Sequence, residues 1–387
     1  MPTPVPSPET APAVILQNTL APVETYTPKP APPMKPGLAI APTAVYTPEP
    51  ALSPTPVSRL MPVEPDAFEL PIKGATGFTT VEMSLRSQAS SNAKVLQKVT
   101  AGSAFRIIEE NGAYWRVDNG DWTGWLAHSY CMINLPDVIP SIIYENTNAS
   151  ASLIRSSGKK LPGVTGKRLY DALAYNKRFN RTMYIMPALY SMAKKICAAQ
   201  QAALSKGDSL KIYEAYRPYS AQRAIVNALA DLASEDTQVK RGISTLPWTV
   251  SWFIAQNRSN HQLGCAIDVS LVKILSIEHA YIGDHLYSIV TDYEEYAMPS
   301  PIHELSVASV TFESPVSSSS STAWKSAALS KTMNEAAISL QSYCTSAGLT
   351  PLASEWWHFN DLDSKNSLGK NTGQGKTELT QLCSTIP

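Results

Sequence analysis

Cysteine is scarce in this sequence, and an excess of charge of either sign is absent. The 387 residues include five cysteines, an odd number with no Cys-x-x-Cys pair, which argues against a disulfide scaffold and a cysteine-rich zinc site. The 32 basic residues equal the 32 acidic ones, which argues against nucleic acid or an anionic membrane surface as the main partner, because both select for basic proteins. No apolar run reaches the roughly 18 residues of a membrane-spanning helix.

Proline, in contrast, is abundant and unevenly distributed. Eighteen of the 30 prolines precede Asp66, in a stretch with few residues that could form a core. Because proline removes backbone donors and favours extended polyproline II, residues 1–66 are predicted to form a disordered, semi-rigid stalk. A near-repeat, Ala21–Ala31 and Ala41–Ala51, leaves open a role as a ligand for a proline-reading domain. The first residues lack the charged segment and apolar core of a signal peptide, so we expect an export signal or anchor to lie outside this sequence.

Short alternating segments separated by turn signals occupy residues 67–135. The alternating runs are Val81–Leu85, Ala104–Ile108, Tyr114–Val117 and Trp122–Leu126. Strands of this length, joined by the Asn-Gly turns at residues 111–112 and 119–120, predict a small all-β barrel. The order of Leu85-Arg86-Ser87, Gly102, Trp115-Arg116-Val117, Gly124-Trp125-Leu126 and Tyr130 resembles a bacterial SH3-type domain. Such domains commonly bind cell-wall peptide or act as spacers, so the resemblance implies one of these two roles.

Residues 136–387 mix helix and strand patterns in a segment of normal enzyme size. Apolar residues recur at helical spacing within 186–203 and again within 220–232, where Ser220 is a candidate N-cap. Lys211–Tyr216 alternates as a strand, and Ala266–Leu271 is predicted to be a buried strand. Because no regular βαβ spacing joins these elements, we predict an α+β domain.

Two short segments of this domain carry residues suited to catalysis. In Ser259–Asp268, a histidine at position 261 precedes the aspartate by seven positions. In Glu355–Phe359, a carboxylate precedes His358 by three positions. Two histidines and an aspartate are donors that a catalytic zinc accepts, with a fourth position left for water, and a spare glutamate can act as general base. Either segment on its own is more often structural.

Together, the patterns Ser-x-His-x-x-Gly-x-Ala-x-Asp and Glu-x-Trp-His resemble the zinc D-alanyl-D-alanine peptidases, in their VanX-type dipeptidase and VanY-type carboxypeptidase branches. Glu214–Pro218 also looks like the arginine-bearing strand end of that family. The resemblance implies a central antiparallel sheet with helices packed around it, and hydrolysis of the bond between two D-alanines. The roles it implies are zinc ligands for His261, Asp268 and His358, general acid/base for Glu355, polarisation of the scissile carbonyl for Arg217, and substrate contact for Ser259.

Other polar residues receive no catalytic role from the sequence. Cys265 lies between two implied ligands, but its apolar neighbours predict a buried free thiol. A structural salt bridge is the alternative interpretation of Arg217. The histidines outside the motifs are treated as non-ligands: His128, His279, His285 and His303.

The stalk and the barrel are additions to the simplest dipeptidases, and an enzyme acting on a free cytoplasmic dipeptide needs neither. We therefore predict a monomeric zinc D,D-carboxypeptidase at the cell surface or outside the cell. Its partner would be peptidoglycan, from whose stem peptides it trims the terminal D-Ala. Hydrolysis of free D-Ala-D-Ala is the alternative.

Two further hypotheses are weaker. A non-catalytic wall-binding protein would be expected to lack a ligand or the glutamate, and all four motif positions are filled here. Endopeptidase cleavage of an L-Ala–D-Glu bond is the other, but such relatives usually carry Asp-x-x-His as their second motif.

Overall fold

An all-β region opens the described part of the chain. The computed structural model describes residues 67–369, 376–381 and 384–387, so the predicted stalk of residues 1–66 lies outside the described residues. The strands of this region are β1 (Thr76–Thr79), β2 (Met83–Arg86), β3 (Val95–Val99), β4 (Ala104–Asn111), β5 (Tyr114–Asp118), β6 (Thr123–Ala127) and β7 (Cys131–Asn134).

Residues 76–134 confirm the all-β fold predicted from the alternating runs. Neighbouring strands pair antiparallel in the order β7-β1-β4-β5-β6-β2-β3. Gly112 adopts φ +58 in the turn between β4 and β5, as an Asn-Gly turn requires. Alternating apolar side chains such as Trp115 and Val117 are fully buried, and they form the core of the region.

Strands and helices are mixed in the remainder of the chain, as predicted. The strands are β8 (Ile143–Tyr144), β9 (Arg155–Ser156), β10 (Lys159–Lys160), β11 (Leu173–Asn176), β12 (Arg181–Tyr184), β13 (Pro187–Leu189), β14 (Asp208–Glu214), β15 (Ala266–Ile282), β16 (His285–Glu295), β17 (Thr350–Leu352) and β18 (Glu355–Asn360). The helices are α1 (Tyr190–Leu204), α2 (Tyr219–Glu235), α3 (Thr237–Ser244), α4 (Val250–Phe253), α5 (Glu335–Ser346) and α6 (Leu362–Ser367). Of the described helices, none is both long enough and apolar enough to cross a membrane.

Three predicted boundaries differ from the structure. The helix predicted for residues 186–203 begins only at Tyr190, because β13 precedes it. Ser220 is not an N-cap; it lies inside α2, which begins directly after Pro218, whose fixed φ of −65° suits helix entry. The strand predicted from Ala266 is much longer and continues into a hairpin with β16.

A six-stranded sheet forms the centre of this second part. Its order is β17-β18-β15-β14-β8, with β16 paired to the far portion of β15. The pairings are antiparallel except for the short parallel pairing of β8 with β14. Helices α1 and α5 contact β14 and β15, respectively, which gives a mixed α/β architecture around a mostly antiparallel sheet.

The all-β region and the second part share one core. Strand β13 pairs with β7, so the first sheet continues across residue 135, where the sequence suggests a domain boundary. Buried Trp115, Ile133 and Ile196 belong to one continuous apolar cluster. The Thr380 hydroxyl, near the end of the chain, accepts a hydrogen bond from the backbone N–H of Ala104, the first residue of β4. All described residues therefore belong to one compact unit.

Candidate metal centre

Three neighbouring strands bring ionisable residues into one row in the second sheet. Asp268 on β15 is paired with His358 on β18 and, on its other side, with Glu214 on β14. Paired positions on adjacent strands place their Cβ atoms about 5 Å apart on the same face. All three side chains are buried. Strand register therefore assembles a polar cluster from residues that are far apart in the sequence.

His261 joins this cluster from a short turn in front of β15. The 3-10 turn Asn260–Leu263 begins after Ser259, whose hydroxyl accepts a hydrogen bond from the backbone N–H of His261. Gly264 ends the turn at φ +67, a conformation that favours glycine. A Cβ at that position would lie only 2.7 Å from Sδ of Met132 on β7. The all-β region thus packs directly beneath the turn that carries His261.

Three donor atoms of the predicted ligands converge. His261 Nε2 lies 3.2 Å from His358 Nδ1, and these nitrogens lie 3.3 and 2.9 Å, respectively, from Oδ1 of Asp268. A tetrahedral zinc ion with bonds of about 2.0–2.1 Å holds its ligand atoms about 3.3 Å apart. The three atoms therefore have the spacing of one face of a zinc tetrahedron, and that face leaves the fourth position free. The residues present fit the metal that the sequence resemblance implies.

Hydrogen bonds on the far side of each ring fix the tautomer that its neutral form adopts. His261 Nδ1 lies 2.7 Å from the carbonyl oxygen of Ala215, which can only accept, so this nitrogen carries the proton. His358 Nε2 donates to Oδ1 of Asn360 at 3.0 Å, and the same oxygen accepts a hydrogen bond from Asn260. In their neutral forms, the two rings therefore direct lone pairs towards each other and towards a carboxylate. A cation stabilises such an arrangement.

Burial and mutual contacts shift the pKa values within the cluster. Although burial opposes its ionisation, the adjacent histidines hold the pKa of Asp268 well below its usual range. Burial lowers the pKa of His261, which favours the neutral form that can bind a metal. Burial also opposes the charged form of His358, but the hydrogen bond with Asp268 outweighs it and raises the pKa of that histidine. A proton and a metal ion therefore compete for His358.

Glu355 lies beside the three ligands without belonging to their triangle. Its Oε2 is 3.8 Å from Nδ1 of His358, and its side chain is buried. Burial raises the pKa of Glu355 to about 8. A carboxyl group with a pKa close to neutral can both take up and release a proton, as a general acid/base must.

The cluster opens onto a cavity of about 230 Å³. Pockets for drug-sized ligands start at about 300 Å³, so this volume suits one or two small residues at the end of a chain. All six residues that the sequence assigned to the site line it: His261, Asp268, His358, Glu355, Arg217 and Ser259.

Arg217 is buried below the cluster, and its guanidinium binds two carboxylates. Nη2 donates to Oδ2 of Asp268 at 3.0 Å, and Nε donates to Oε2 of Glu214 at 2.6 Å. Nη1 donates to Oε1 of Gln222 at 2.9 Å. These contacts agree with the salt-bridge alternative, and the residue also lines the cavity. Its predicted action on a substrate carbonyl stays a prediction.

Two residues of the cluster were not predicted from the sequence. Glu214 is fully buried and accepts hydrogen bonds from Asn148 at 2.9 Å and from the Tyr170 hydroxyl at 2.7 Å. The sequence signal for its burial is that this glutamate lies in an alternating strand, three positions before an arginine that could pair with it. His303 was treated as a non-ligand, and it lies outside the triangle, but its Nε2 is 3.2 Å from Oδ2 of Asp268. The segment Met298–Pro301 with His303-Glu304-Leu305 is similar to a segment of the dipeptidase branch, but that resemblance gives His303 no role. Only tertiary structure brings its loop to the site.

Comparison with known families identifies one part of the chain. Residues 81–131 match the family model of the bacterial SH3 domain. That match confirms the SH3-type region predicted from the sequence. Bacterial SH3 domains commonly bind peptidoglycan, which points to an association with the cell wall. No curated protein matches the chain.

Proposed function

We propose that this protein is a zinc-dependent D,D-carboxypeptidase that hydrolyses the D-Ala–D-Ala bond at the end of peptidoglycan stem peptides. The observation that carries the proposal is the triangle of donor atoms from His261, Asp268 and His358, with the Glu355 carboxylate beside it and a common cavity in front. These positions match those to which the resemblance to zinc D-alanyl-D-alanine peptidases gives metal and acid/base roles. The antiparallel-sheet fold of that clan is part of the proposal.

The three ligand residues would hold zinc through two neutral imidazoles and one carboxylate. When bound, zinc supplies Lewis acidity that polarises a carbonyl and lowers the pKa of a water molecule. His261 and His358 are held in the tautomers that keep their lone pairs directed inwards. Asp268 contributes the ligand set's single negative charge, so the loaded site stays net positive, which suits the stabilisation of an oxyanion.

Glu355 moves the proton in this scheme. It accepts a proton from the attacking water and returns it to the departing amine. Its pKa, raised by burial, lets the carboxyl group hold the proton between the two transfers.

Arg217 and Ser259 orient the reacting groups. Arg217 is a fixed cation with no accessible neutral form, and it holds Asp268 in place while facing the cavity. We propose that it also polarises the scissile carbonyl. The Ser259 hydroxyl oxygen accepts from the backbone N–H of His261, so its own O–H remains to donate to a substrate.

The SH3 match supports a polymer-bound substrate over a free dipeptide. A domain that binds the cell wall raises the local concentration of stem peptides around the attached enzyme. The same attachment gives no advantage with a freely diffusing dipeptide. We therefore propose that the protein acts outside the cell or at its surface.

Release of free D-alanine tests the proposal. Zinc-loaded protein should release D-alanine from a pentapeptide stem, and a chelator should stop the release until zinc is added back. Glu355→Gln, which keeps the size of the side chain, is the matched control and should bind zinc but turn over about 10²–10⁴-fold more slowly. Cleavage of free D-Ala-D-Ala alone would support the dipeptidase alternative. Absence of any cleavage by a protein holding one zinc per chain would support a wall-binding protein.

A further inference from the structure

His303 is a buried histidine with an unusual backbone conformation at the edge of the metal centre, and the proposed function gives it no role. Its φ of +62 lies in the left-handed region, which residues other than glycine rarely adopt. Its side chain is only 3% exposed. Such backbone outliers concentrate at functional sites, because the surrounding structure must enforce them.

The surroundings fix both the backbone and the ring of His303. Its carbonyl oxygen accepts a hydrogen bond from the backbone N–H of Arg155 at 3.1 Å. The carboxylate of the next residue, Glu304, accepts hydrogen bonds from two successive backbone N–H groups in front of β10. The imidazole packs edge-on against Tyr213 and Trp357, with ring centroids 6.2 Å away in each case. Three neighbours therefore contact this histidine directly, and the next residue is anchored separately.

Packing alone does not explain why this residue is a histidine. Among the described residues, neither ring nitrogen of His303 has a well-aligned hydrogen-bond partner. A buried polar atom without a partner costs free energy, so an apolar side chain would fill the same space better. Nε2 lies 3.2 Å from Oδ2 of Asp268, within hydrogen-bond distance although the N–H direction is off line. The ring also lines the cavity in front of the metal centre.

The two oxygens of Asp268 have different neighbours. Oδ1 faces the converging nitrogens of His261 and His358. Oδ2 faces Nη2 of Arg217 at 3.0 Å and Nε2 of His303. Because both hydrogen-bond donors lie beside Oδ2, Oδ1 is the oxygen that is free to bind a metal ion. Hydrogen bonds of this kind commonly orient carboxylate ligands, and loss of one typically weakens metal binding by about 10–100-fold.

We propose that His303 is a positioning residue of the metal centre, whose Nε2–H acts with Arg217 to hold Oδ2 of Asp268 so that only Oδ1 faces the metal. The inference rests on the zinc centre of the proposed function. Glu214, Asp268 and His303 could themselves be read as a second cation site. Nη2 of Arg217 contacts the carboxylates of both Glu214 and Asp268, so the guanidinium already supplies the positive charge there.

Two amide substitutions of different reach test this role. His303→Gln places an amide nitrogen near the position of Nε2, whereas His303→Asn is too short to reach Oδ2 of Asp268. Zinc Kd, measured by competition with a chromophoric chelator, should stay within about threefold of wild type for Gln and rise about 10–100-fold for Asn. His285→Asn, at an exposed position of β16, is the matched control and should leave Kd unchanged. Equal Kd values for wild type and Asn, or equal weakening by Asn and Gln, would overturn the proposal.

A measurement on the wild-type protein tests the proposal even if the His303 variants fail to fold. In zinc-loaded wild type, long-range ¹H–¹⁵N spectra of the imidazoles should show His303 protonated at Nε2. Protonation at Nδ1 instead would overturn the proposal, because Nε2 could then not donate to Asp268. If wild type itself binds no zinc, the proposed function and this inference both fail. If it binds zinc and Asn binds it equally well, only this inference fails.

Discussion

Replacing Arg217 with methionine should destabilise the metal-free protein by several kcal/mol near pH 7. Its guanidinium is in direct contact with the carboxylates of Glu214 and Asp268, whose side chains are at most 2% exposed. Removing one partner from a buried ion pair typically costs about 3–5 kcal/mol, because the remaining charge is left without compensation. We expect a loss of unfolding free energy of this size.

The loss should depend on pH through Glu214. Burial opposes ionisation of this residue, but Arg217 outweighs it and holds the pKa of Glu214 below its ordinary value of 4.5. A lowered pKa contributes stability above the unfolded-state pKa, and that contribution disappears as the pH falls through the folded-state value. Without Arg217, burial raises this pKa instead. The difference between wild type and variant should therefore be largest near neutral pH and shrink as the pH falls towards 4.5.

Urea unfolding in the presence of a chelator, repeated from neutral to acidic pH, measures this difference. Arg223→Met is the matched control. Arg223 lies six residues further along the chain, in α2, and its guanidinium donates to two neutral groups, the Gln256 carbonyl and the Asn227 amide oxygen. It should change stability by about 1 kcal/mol or less. An Arg217→Met loss of less than about 1 kcal/mol, or one that does not vary with pH, would show that this cation does not compensate two buried carboxylates.

Five further changes, two of them truncations, test the metal ligands, the general base, the turn that carries His261 and the shared core. His261→Ala should remove the single zinc equivalent detected by metal analysis, and full retention of metal would contradict the ligand assignment. Glu355→Gln should keep zinc and melting temperature but slow pentapeptide turnover by about 10²–10⁴-fold, whereas a drop below about tenfold would indicate a structural carboxylate. Gly264→Ala should lower unfolding free energy by about 1–3 kcal/mol, because its φ is left-handed and a methyl group would collide with β7; an unchanged urea midpoint would contradict this. Deletion of residues 1–66 should leave zinc content and soluble-substrate turnover unchanged, but deletion of residues 1–135 should prevent folding, since β13 loses its partner; a folded, active fragment would argue otherwise.

The ligand motifs could be predicted from the sequence because each of them is local. One turn joins His261 to the start of β15, and β18 alone carries both Glu355 and His358. The place of Glu214 beside Asp268 depends instead on the register between β14 and β15, which no local pattern encodes. The approach of the loop with His303 depends on tertiary packing in the same way.

The all-β region shows the same division between local and long-range information. Alternation and Asn-Gly turns are local signals, and they predict four of the seven strands, β2, β4, β5 and β6, to within about two or three residues. The pairing of β13 with β7 joins segments about 55 residues apart, and three residues are too few to show a period of two. The sequence therefore places Pro187–Leu189 inside the predicted helix. It gives no sign that the first sheet continues into the second part of the chain.

Mass spectrometry of a pentapeptide muropeptide incubated with the zinc-loaded protein shows directly whether the proposed bond is cleaved. We expect a tetrapeptide product that has lost one D-alanine, formed with zinc and not in the presence of a chelator. An unchanged pentapeptide, or cleavage at another bond, from a protein shown to hold one zinc per chain would contradict it.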